Sequence, residues 1–461
     1  MKGLNKEILR LAIPSILANI TVPLVGMVDI AVAGHLSELG VGGAAAFIGG
    51  VTIGSLLFDL MYWNFAFLRV GTGGLVAQAF GRKDDRECAD VFVRSVTLAL
   101  LLSVAILLLQ WPFQKLAFLV VKTSPTVHEL ALKYFFIRIW AAPATLSLMA
   151  FRGWFVGMQD SFSSMLTDLT VNVVNIVASI VLTLGVGRWT GLGFAGIAFG
   201  TVVAQYSGLL LASIIVATKY RRMPFRLQWP EREKLKSYMS MNNDLFIRSL
   251  CFIAIYIGFT TLAARYGDVF LSATSIIMKI LMIFSYITDG FAYSGEALTG
   301  RFIGERSVPA LKQTVRLVFL WSMGVAAVFM AVYGLLGDWL VALMTSDSVV
   351  ASAVHPFLWW LLLMPPLGCA AFTWDGIYTG ATASRAVRNA MIWAIVAFFV
   401  IYCAGIWVGG IPSSSDGSTL AVSAMNLMMA AYFAHLLART LYLTLRYRRD
   451  VVARAEEEQA Q

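Results

Sequence analysis

The sequence predicts an all-α integral membrane protein with twelve transmembrane helices in two pseudo-symmetric six-helix lobes. Three observations predict this class: the composition, the spacing of apolar segments and an internal repeat. Of the 461 residues, 59% are hydrophobic and 13% are charged, whereas about 25% are charged in a soluble domain. A soluble fold cannot bury so much apolar surface, but transmembrane helices leave it facing lipid.

Apolar segments follow one another along the chain, each near or above the roughly 20 residues that cross a bilayer. They cover residues 8–33, 43–70, 91–111, 129–151, 164–185, 192–217, 243–263, 271–299, 314–336, 353–375, 388–409 and 419–446. The first segment lacks a small-residue cleavage site, so we expect a transmembrane helix there and not a removed signal peptide.

Basic residues collect on one side of this predicted topology. Lys2, Lys6 and Arg10 precede the first segment, and a further basic cluster lies in residues 219–236 between the sixth and seventh segments. The opposite side holds Lys115, Lys122, Arg188 and Arg265. Because Lys and Arg resist translocation, both termini are expected in the cytoplasm.

The two halves resemble each other at one fixed offset. AFGRKD (79–84) resembles FIGERS (302–307), and PATLSLMAFRGWFVG (143–157) resembles PLGCAAFTWDGIYTG (366–380), both at an offset of 223. We therefore predict an N-terminal lobe (1–218), a cytoplasmic linker (219–242), a C-terminal lobe (243–446) and a charged cytoplasmic tail (447–461). An even number of helices gives both copies the same orientation, as in parallel-repeat transporters.

Asp29 is the sharpest functional candidate. It lies deep in the first segment, within PLVGMVDIAVAG, and Arg10 is the only basic residue in that helix. Burial in hydrocarbon disfavours a charged carboxylate, so the group is suited to gain and lose a proton. The structural alternative is an acid held by neighbouring amides.

Polar side chains in the fifth and sixth helices are the next candidates. Asn172 and Asn175 share a helix face, and Thr201 and Gln205 lie one turn apart on the following helix. They are suited to line one cavity, although amides also join helices without any transport role.

The C-terminal half contains its own ionisable residues, Lys279, Asp289, Glu296 and Asp375. Asp289 and Glu296 lie seven residues apart on one helix face, so Lys279 is a candidate partner for either. A structural ion pair and a transport role both fit, because pairing is how a membrane tolerates charge.

Several other classes of function are disfavoured. The glycine-rich run GTGGLVAQAFG (71–81) lacks the GK[ST] ending of a phosphate-binding loop, so no nucleotide is an expected partner. The basic residues lie in short blocks between apolar segments, which indicates membrane topology and not a nucleic-acid partner. The four histidines lie in distant segments and form no metal or triad pattern. We therefore expect no enzyme activity, no metal and no cofactor.

These runs together resemble the multidrug and toxic compound extrusion (MATE) transporters, in particular the branch of the DNA-damage-inducible protein F (DinF). The supporting runs span nearly the whole chain: LAIPSILANITVPLVGMVDIAVAGHL (11–36), YWNFAFLRVGTGGLVAQAFGR (62–82), FRGWFVGMQDS (151–161), VNVVNI (171–176), GFAGIAFGTVVAQ (193–205), DGFAYSGEALTGRFIG (289–304) and WDGIYTGATASRAVRN (374–389).

The resemblance implies a V-shaped arrangement of the two lobes and drug expulsion by alternating access, driven by protons or sodium. Asp29 matches the family's coupling acid, Asn175 its fifth-helix asparagine, and Pro14 the proline at which the first helix bends. One position departs from many relatives, because Ser179 replaces an acid that follows the asparagine by four residues. The departure favours coupling through one proton, or coupling shared with the second lobe.

The sequence thus predicts a proton-coupled multidrug efflux antiporter, with sodium as the other possible coupling ion. Its expected partners are small amphipathic or cationic organic compounds and membrane lipids, and we expect a monomer in the inner (plasma) membrane. The alternative is a flippase for lipids or lipid-linked saccharides, which would need inward-facing basic residues; Lys279, Arg248 and Arg138 are the candidates.

Overall fold

The structure is a computed structural model that describes residues 2–36, 44–120, 124–226, 232–345, 348–409 and 418–460. Residues 227–231 of the predicted linker and Lys122 lie outside this part. The α-helices are α1 (Lys2–His35), α2 (Ala44–Trp63), α3 (Phe67–Gly81), α4 (Asp85–Leu108), α5 (Gln110–Val120), α6 (Pro125–Arg138), α7 (Ala142–Gly157), α8 (Ser161–Leu184), α9 (Phe194–Lys219), α10 (Arg232–Ala264), α11 (Asp268–Gly304), α12 (Val308–Met344), α13 (Ser348–Val354), α14 (Leu358–Gly380), α15 (Ser384–Gly409), α16 (Ser418–Tyr447) and α17 (Ala453–Ala460).

The helices confirm the predicted class. Within the described ranges, 11 helical stretches are long and apolar enough to cross a membrane, and α16 adds a further long helix. Some of these stretches join two helices, as in Ala46–Gly81, which contains most of α2 and all of α3. The chain is therefore a multi-pass, all-α membrane protein.

Contacts divide the chain into two compact units. One contains Leu17–Leu235, and the other contains Lys236–Gln461 together with Met1–Ile16. The division falls inside α1, just after Pro14, where proline removes one helix hydrogen bond. Residues 1–16 join the second unit through side chains of α11 and α12: Trp321 donates to Asn5 Oδ1 (3.0 Å) and Arg301 pairs with Glu7 (3.4 Å).

Each unit repeats the helix boundaries of the other at the offset of 223. The repeated ends are those of α3 (Gly81) and α11 (Gly304), and of α7 (Gly157) and α14 (Gly380). The repeated starts are those of α4 (Asp85) and α12 (Val308), and of α8 (Ser161) and α15 (Ser384). The backbone turns between these helices repeat as well, because the non-glycine residues with positive φ are Lys83 and Arg306, and Gln159 and Thr382.

Asp160 connects the ends of α7, α8 and α9 in the first unit. Its carboxylate accepts hydrogen bonds from Lys219 Nζ (2.6 Å), Tyr220 Oη (2.8 Å) and the Ser163 N–H (3.3 Å). Burial acts to raise the pKa of Asp160, but these donors outweigh it and hold that pKa below its usual range. Burial and the neighbouring carboxylate raise the pKa of Tyr220.

The predicted tail packs onto the second unit. Residues Arg448–Val452 form a π-helical turn that leads into α17, and Val451 and Ala455 are fully buried. Arg454 donates to the Ala381 carbonyl (2.7 Å) and to Thr382 Oγ1 (3.0 Å). The charged tail therefore holds the α14–α15 turn.

Candidate functional site

Asp29 is buried in the first unit, with 6% of its surface exposed. Its Oδ1 atom has no hydrogen-bond partner of good geometry among the described residues. The groups that act on it electrostatically are Arg138 of α6 and the Ser179 hydroxyl of α8. In the described structure Asp29 forms no ion pair with Arg138, so the positive charge lies nearby without binding the carboxylate directly.

Arg138 is held by neutral groups. Its Nη1 donates to Tyr134 Oη (2.9 Å) and to Ser55 Oγ (3.2 Å), and the guanidinium lies 4.8 Å from the centre of the Phe58 ring. Asp59 of α2 is a second acid that acts on it. Arg138 is also the positive charge that faces Asp59.

The asparagines take two different partners. Asn175 Nδ2 donates to Thr201 Oγ1 (3.1 Å), which joins α8 to α9. Asn172 Nδ2 donates to Thr21 Oγ1 of α1. The structure therefore brings Asn172, Asn175 and Thr201 together with α1, in the same unit as Asp29.

Several acceptor oxygens of α8 and α9 are buried without a hydrogen-bond partner in the described part of the chain. These are Asn175 Oδ1, Ser179 Oγ and Gln205 Oε1. Leaving such groups unpaired costs free energy, on the order of 1–3 kcal/mol each. The set is suited to accept a proton-bearing group, a cation or water.

Ser179 can occupy its position because α8 and α9 touch at this level. A Cβ atom placed on Gly200 would lie 2.6 Å from Ser179 Oγ and 2.6 Å from its backbone nitrogen. The glycine lets the two backbones approach, as expected for the Gly196–Gly200 spacing. The hydroxyl side chain thus lies at a tightly packed helix crossing.

The second unit contains a separate charge cluster around Asp375 of α14. Asp375 Oδ2 pairs with Arg248 Nη2 (2.8 Å) of α10 and with Arg439 Nη2 (3.2 Å) of α16. Arg439 is 2% exposed and also faces the Phe372 ring at 5.5 Å. Asp289 of α11 acts on Arg439 as well, so two acids face two arginines.

Lys279 and Glu296 stand apart from the ion pairs of this cluster in the described structure. Lys279 is exposed on α11 and belongs to no ion pair in the described ranges. Glu296 is 1% exposed, and its backbone carbonyl packs against Gly380. The anticipated pairing of Lys279 with Asp289 or Glu296 is therefore absent from the described structure, and Arg439 is the positive charge that Asp289 faces.

Sequence reasoning missed Arg439, and it named Arg138 and Arg248 only for another function. Arg439 stands in the apolar run AAYFAHLLARTLYLTL of the last helix. A buried arginine in such a run requires an acid from another helix. This signal was available in the sequence, but the identity of the acid was not.

Comparison with known proteins adds a family model described as MatE, which matches residues 14–181 and 245–404. Over 413 residues, the chain is 32% identical to DNA damage-inducible protein F of Escherichia coli (strain K12), covering 88% of this chain and 87% of that protein. It is 24% identical to a probable multidrug resistance protein NorM of Photorhabdus laumondii subsp. laumondii, covering 88% and 86% of the two chains.

Solved structures show the same fold. One described as MATE in the bent conformation superposes with a TM-score of 0.82 at 19% sequence identity, covering 99% of this chain and 97% of that one. A transporter of the MOP superfamily from Pyrococcus furiosus superposes with a TM-score of 0.80 at 20% identity, covering 98% and 97%. At this identity the likeness establishes the fold alone.

Proposed function

The chain belongs to the MatE family of multidrug and toxic compound extrusion transporters, and on that premise we propose that it is a proton-coupled efflux antiporter. Its substrates are small amphipathic or cationic organic compounds, which it exports by alternating access. The observation that carries the proposal is Asp29: a buried carboxyl in a membrane-spanning helix, outside any ion pair of the described structure.

The proposed coupling step is competition between a proton and substrate at Asp29. A charged carboxylate attracts a cationic substrate, and a proton removes that attraction. The Ser179 oxygen beside Asp29, and the Asn175 and Gln205 oxygens of α8 and α9, can rearrange their hydrogen bonds as the charge changes, because they have no other partner among the described residues. Protonation outside the cell thereby releases substrate, and deprotonation inside allows rebinding.

The energy for this cycle comes from the ion gradient. A membrane potential supplies about 2.3 kcal/mol per charge per 100 mV, which can drive one organic molecule uphill without nucleotide. The proton is proposed as the coupling ion because one carboxyl group suffices to bind it. Sodium is the alternative, since the same oxygens are of the kind that hard cations bind.

The flippase alternative receives less support. Such a protein would present unmatched basic groups to an anionic lipid headgroup. Arg248 pairs with Asp375 (2.8 Å), Arg138 faces two acids, and Lys279 is exposed. The three candidates therefore do not form a basic cluster in the described structure.

We also propose that the protein lies in the bacterial inner membrane with both termini in the cytoplasm. The positive-inside distribution of Lys and Arg supports this orientation. Its relatives are transporters and not enzymes, in keeping with a role in transport.

Transport in proteoliposomes under separately imposed proton and sodium gradients tests the proposal. The native chain should export a cationic dye when only the proton gradient is present. Asp29→Asn should lose the dependence on that gradient. Asp338→Asn is a suitable control, because Asp338 is an exposed acid (72%) on α12.

Two results would contradict the proposal. Proton-driven export that persists in Asp29→Asn removes Asp29 from the coupling step. Export by the native chain that follows only the sodium gradient shows that sodium is the coupling ion.

A further inference from the structure

Arg138 uses only part of its hydrogen-bonding capacity. One nitrogen, Nη1, donates to both Tyr134 and Ser55, and the Phe58 ring supports the guanidinium face. The head group is therefore fixed in position without using its other nitrogens. For Nε and Nη2, no hydrogen-bond partner occurs among the described residues.

The unused edge of this guanidinium has the geometry that binds a carboxylate. Nε and Nη2 carry parallel N–H bonds, and a carboxylate accepts both at once. Arg138 is partly exposed, so a ligand can reach it. Asp29 and Asp59 act on it through space, but neither forms an ion pair with it in the described structure.

The charges around Arg138 have both signs. Two acids, Asp29 and Asp59, attract a cationic group, and Arg138 attracts an anionic group. A purely anionic ligand is repelled by the two acids, and a purely cationic one is attracted by them but gains nothing from the arginine. A ligand with both charges satisfies both.

We propose that Arg138 is a specificity-determining residue that selects zwitterionic amphipathic compounds, binding their carboxylate while their cationic group faces Asp29 and Asp59. This rests on the efflux function proposed above and names its preferred substrate class. The preference is for the free acid of a compound over its ester, since the ester carries no negative charge for the guanidinium.

A matched pair of dyes tests the selection. A rhodamine with a free carboxylate is a zwitterion, and its methyl ester is a cation of nearly the same shape. Binding of each to the purified full-length chain is measured by fluorescence anisotropy, and the ratio of the two dissociation constants is compared between variants. Arg138→Gln should lower the preference for the acid by about tenfold or more, the loss expected for a charge-assisted hydrogen bond.

Two further variants separate charge from geometry. Arg138→Lys keeps the charge but cannot form two parallel bonds, so it should recover only part of the preference. Lys133→Gln removes a positive charge from an exposed position of the same helix and should leave the ratio at its native value. Ester binding by each variant shows that the protein is folded.

The outcomes distinguish this inference from the efflux proposal. An acid-to-ester ratio that is the same in Arg138→Gln and in the native chain overturns the role of Arg138, even if both dyes are exported along the gradient. A native chain that does not prefer the acid overturns it too. A ratio that depends on Arg138 supports the site, and if gradient-driven export is then absent, it is the efflux proposal that fails.

Discussion

Gly157 packs against the backbone of Gly73, and Gly380 packs against the backbone of Glu296. The two glycines lie 223 residues apart, and so do the two residues that they contact. Gly153 and Gly376 pack in the same way against Arg69 and Ala292. The two units therefore repeat a close helix contact atom for atom, in addition to the helix boundaries. Contacts of this kind require glycine because a Cβ would overlap the facing carbonyl.

Substitution of these glycines should destabilise the protein. A Cβ at position 157 would lie 2.8 Å from Gly73 O and 2.6 Å from Val76 Cβ. Gly157→Ala and Gly380→Ala should each lower the free energy of unfolding by about 1–3 kcal/mol, measured by thermal unfolding in detergent. Gly324→Ala has open space around it and should be neutral or slightly stabilising; a similar loss there would show that the effect is unrelated to packing.

Asp375 neutralises Arg248 and Arg439. Asp375→Asn leaves a buried guanidinium without its main counter-charge and should cost about 3–5 kcal/mol of unfolding free energy. Arg248→Gln should cost less, because Asp375 still pairs with Arg439 (3.2 Å). Equal losses in the two variants, in the same thermal assay, would mean that Arg439 does not depend on Asp375.

Asp160 should make the stability of the first unit depend on pH. Its folded-state pKa lies below the unfolded-state value, so the stabilisation by the ionised form is complete above about pH 4. It is lost as the pH falls through the folded-state pKa. Asp160→Asn should cost about 1 kcal/mol at neutral pH, and the difference from the native chain should shrink in acid.

Asp84 provides the control for this measurement. It caps α4 by accepting from the Glu87 N–H (2.9 Å) and pairs with no lysine in the described ranges. Asp84→Asn should therefore cost less than Asp160→Asn at neutral pH. A native-to-variant difference for Asp160 that stays constant down to the lowest pH would show that its charge is not the stabilising feature.

Ser179 offers a test of the neighbourhood of Asp29. Ser179→Asp places a second carboxyl group beside the first, and two adjacent carboxylates share a proton. The pH of half-maximal proton-driven transport should rise by about 1 unit or more. Ser179→Asn adds similar volume without charge and should leave that pH unchanged; an equal shift in both variants would indicate a packing effect.

Much of the fold could be predicted because its determinants are local. Apolar length identifies the transmembrane helices, and the paired motifs at 143–157 and 366–380 identify the repeat. The structure places the glycines of those motifs at close helix contacts. The boundary inside α1 was not predictable, since it depends on which helices residues 1–16 contact.

The charge partners were harder to predict because spacing relates residues only within one helix. Asp289 and Glu296 could be assigned to one face, but Arg439 and Arg248 come from α16 and α10, distant in the chain. The same limit applies to Asp29 and Arg138, which lie on α1 and α6. Asn175 and Thr201 could be assigned to neighbouring positions because α8 and α9 follow each other in the chain, and they share a hydrogen bond (3.1 Å).

The turns at Lys83 and Gln159 are repeated at Arg306 and Thr382. This repetition points to a duplicated ancestor in which the backbone was kept and the polar side chains changed. At the positions that correspond to Asn175 and Ser179, the second copy carries Phe398 and Tyr402. At the position that corresponds to Asp375, the first copy carries Arg152. The turns and glycine contacts that set the helix packing are thus the same in both units, while the polar side chains at equivalent positions differ.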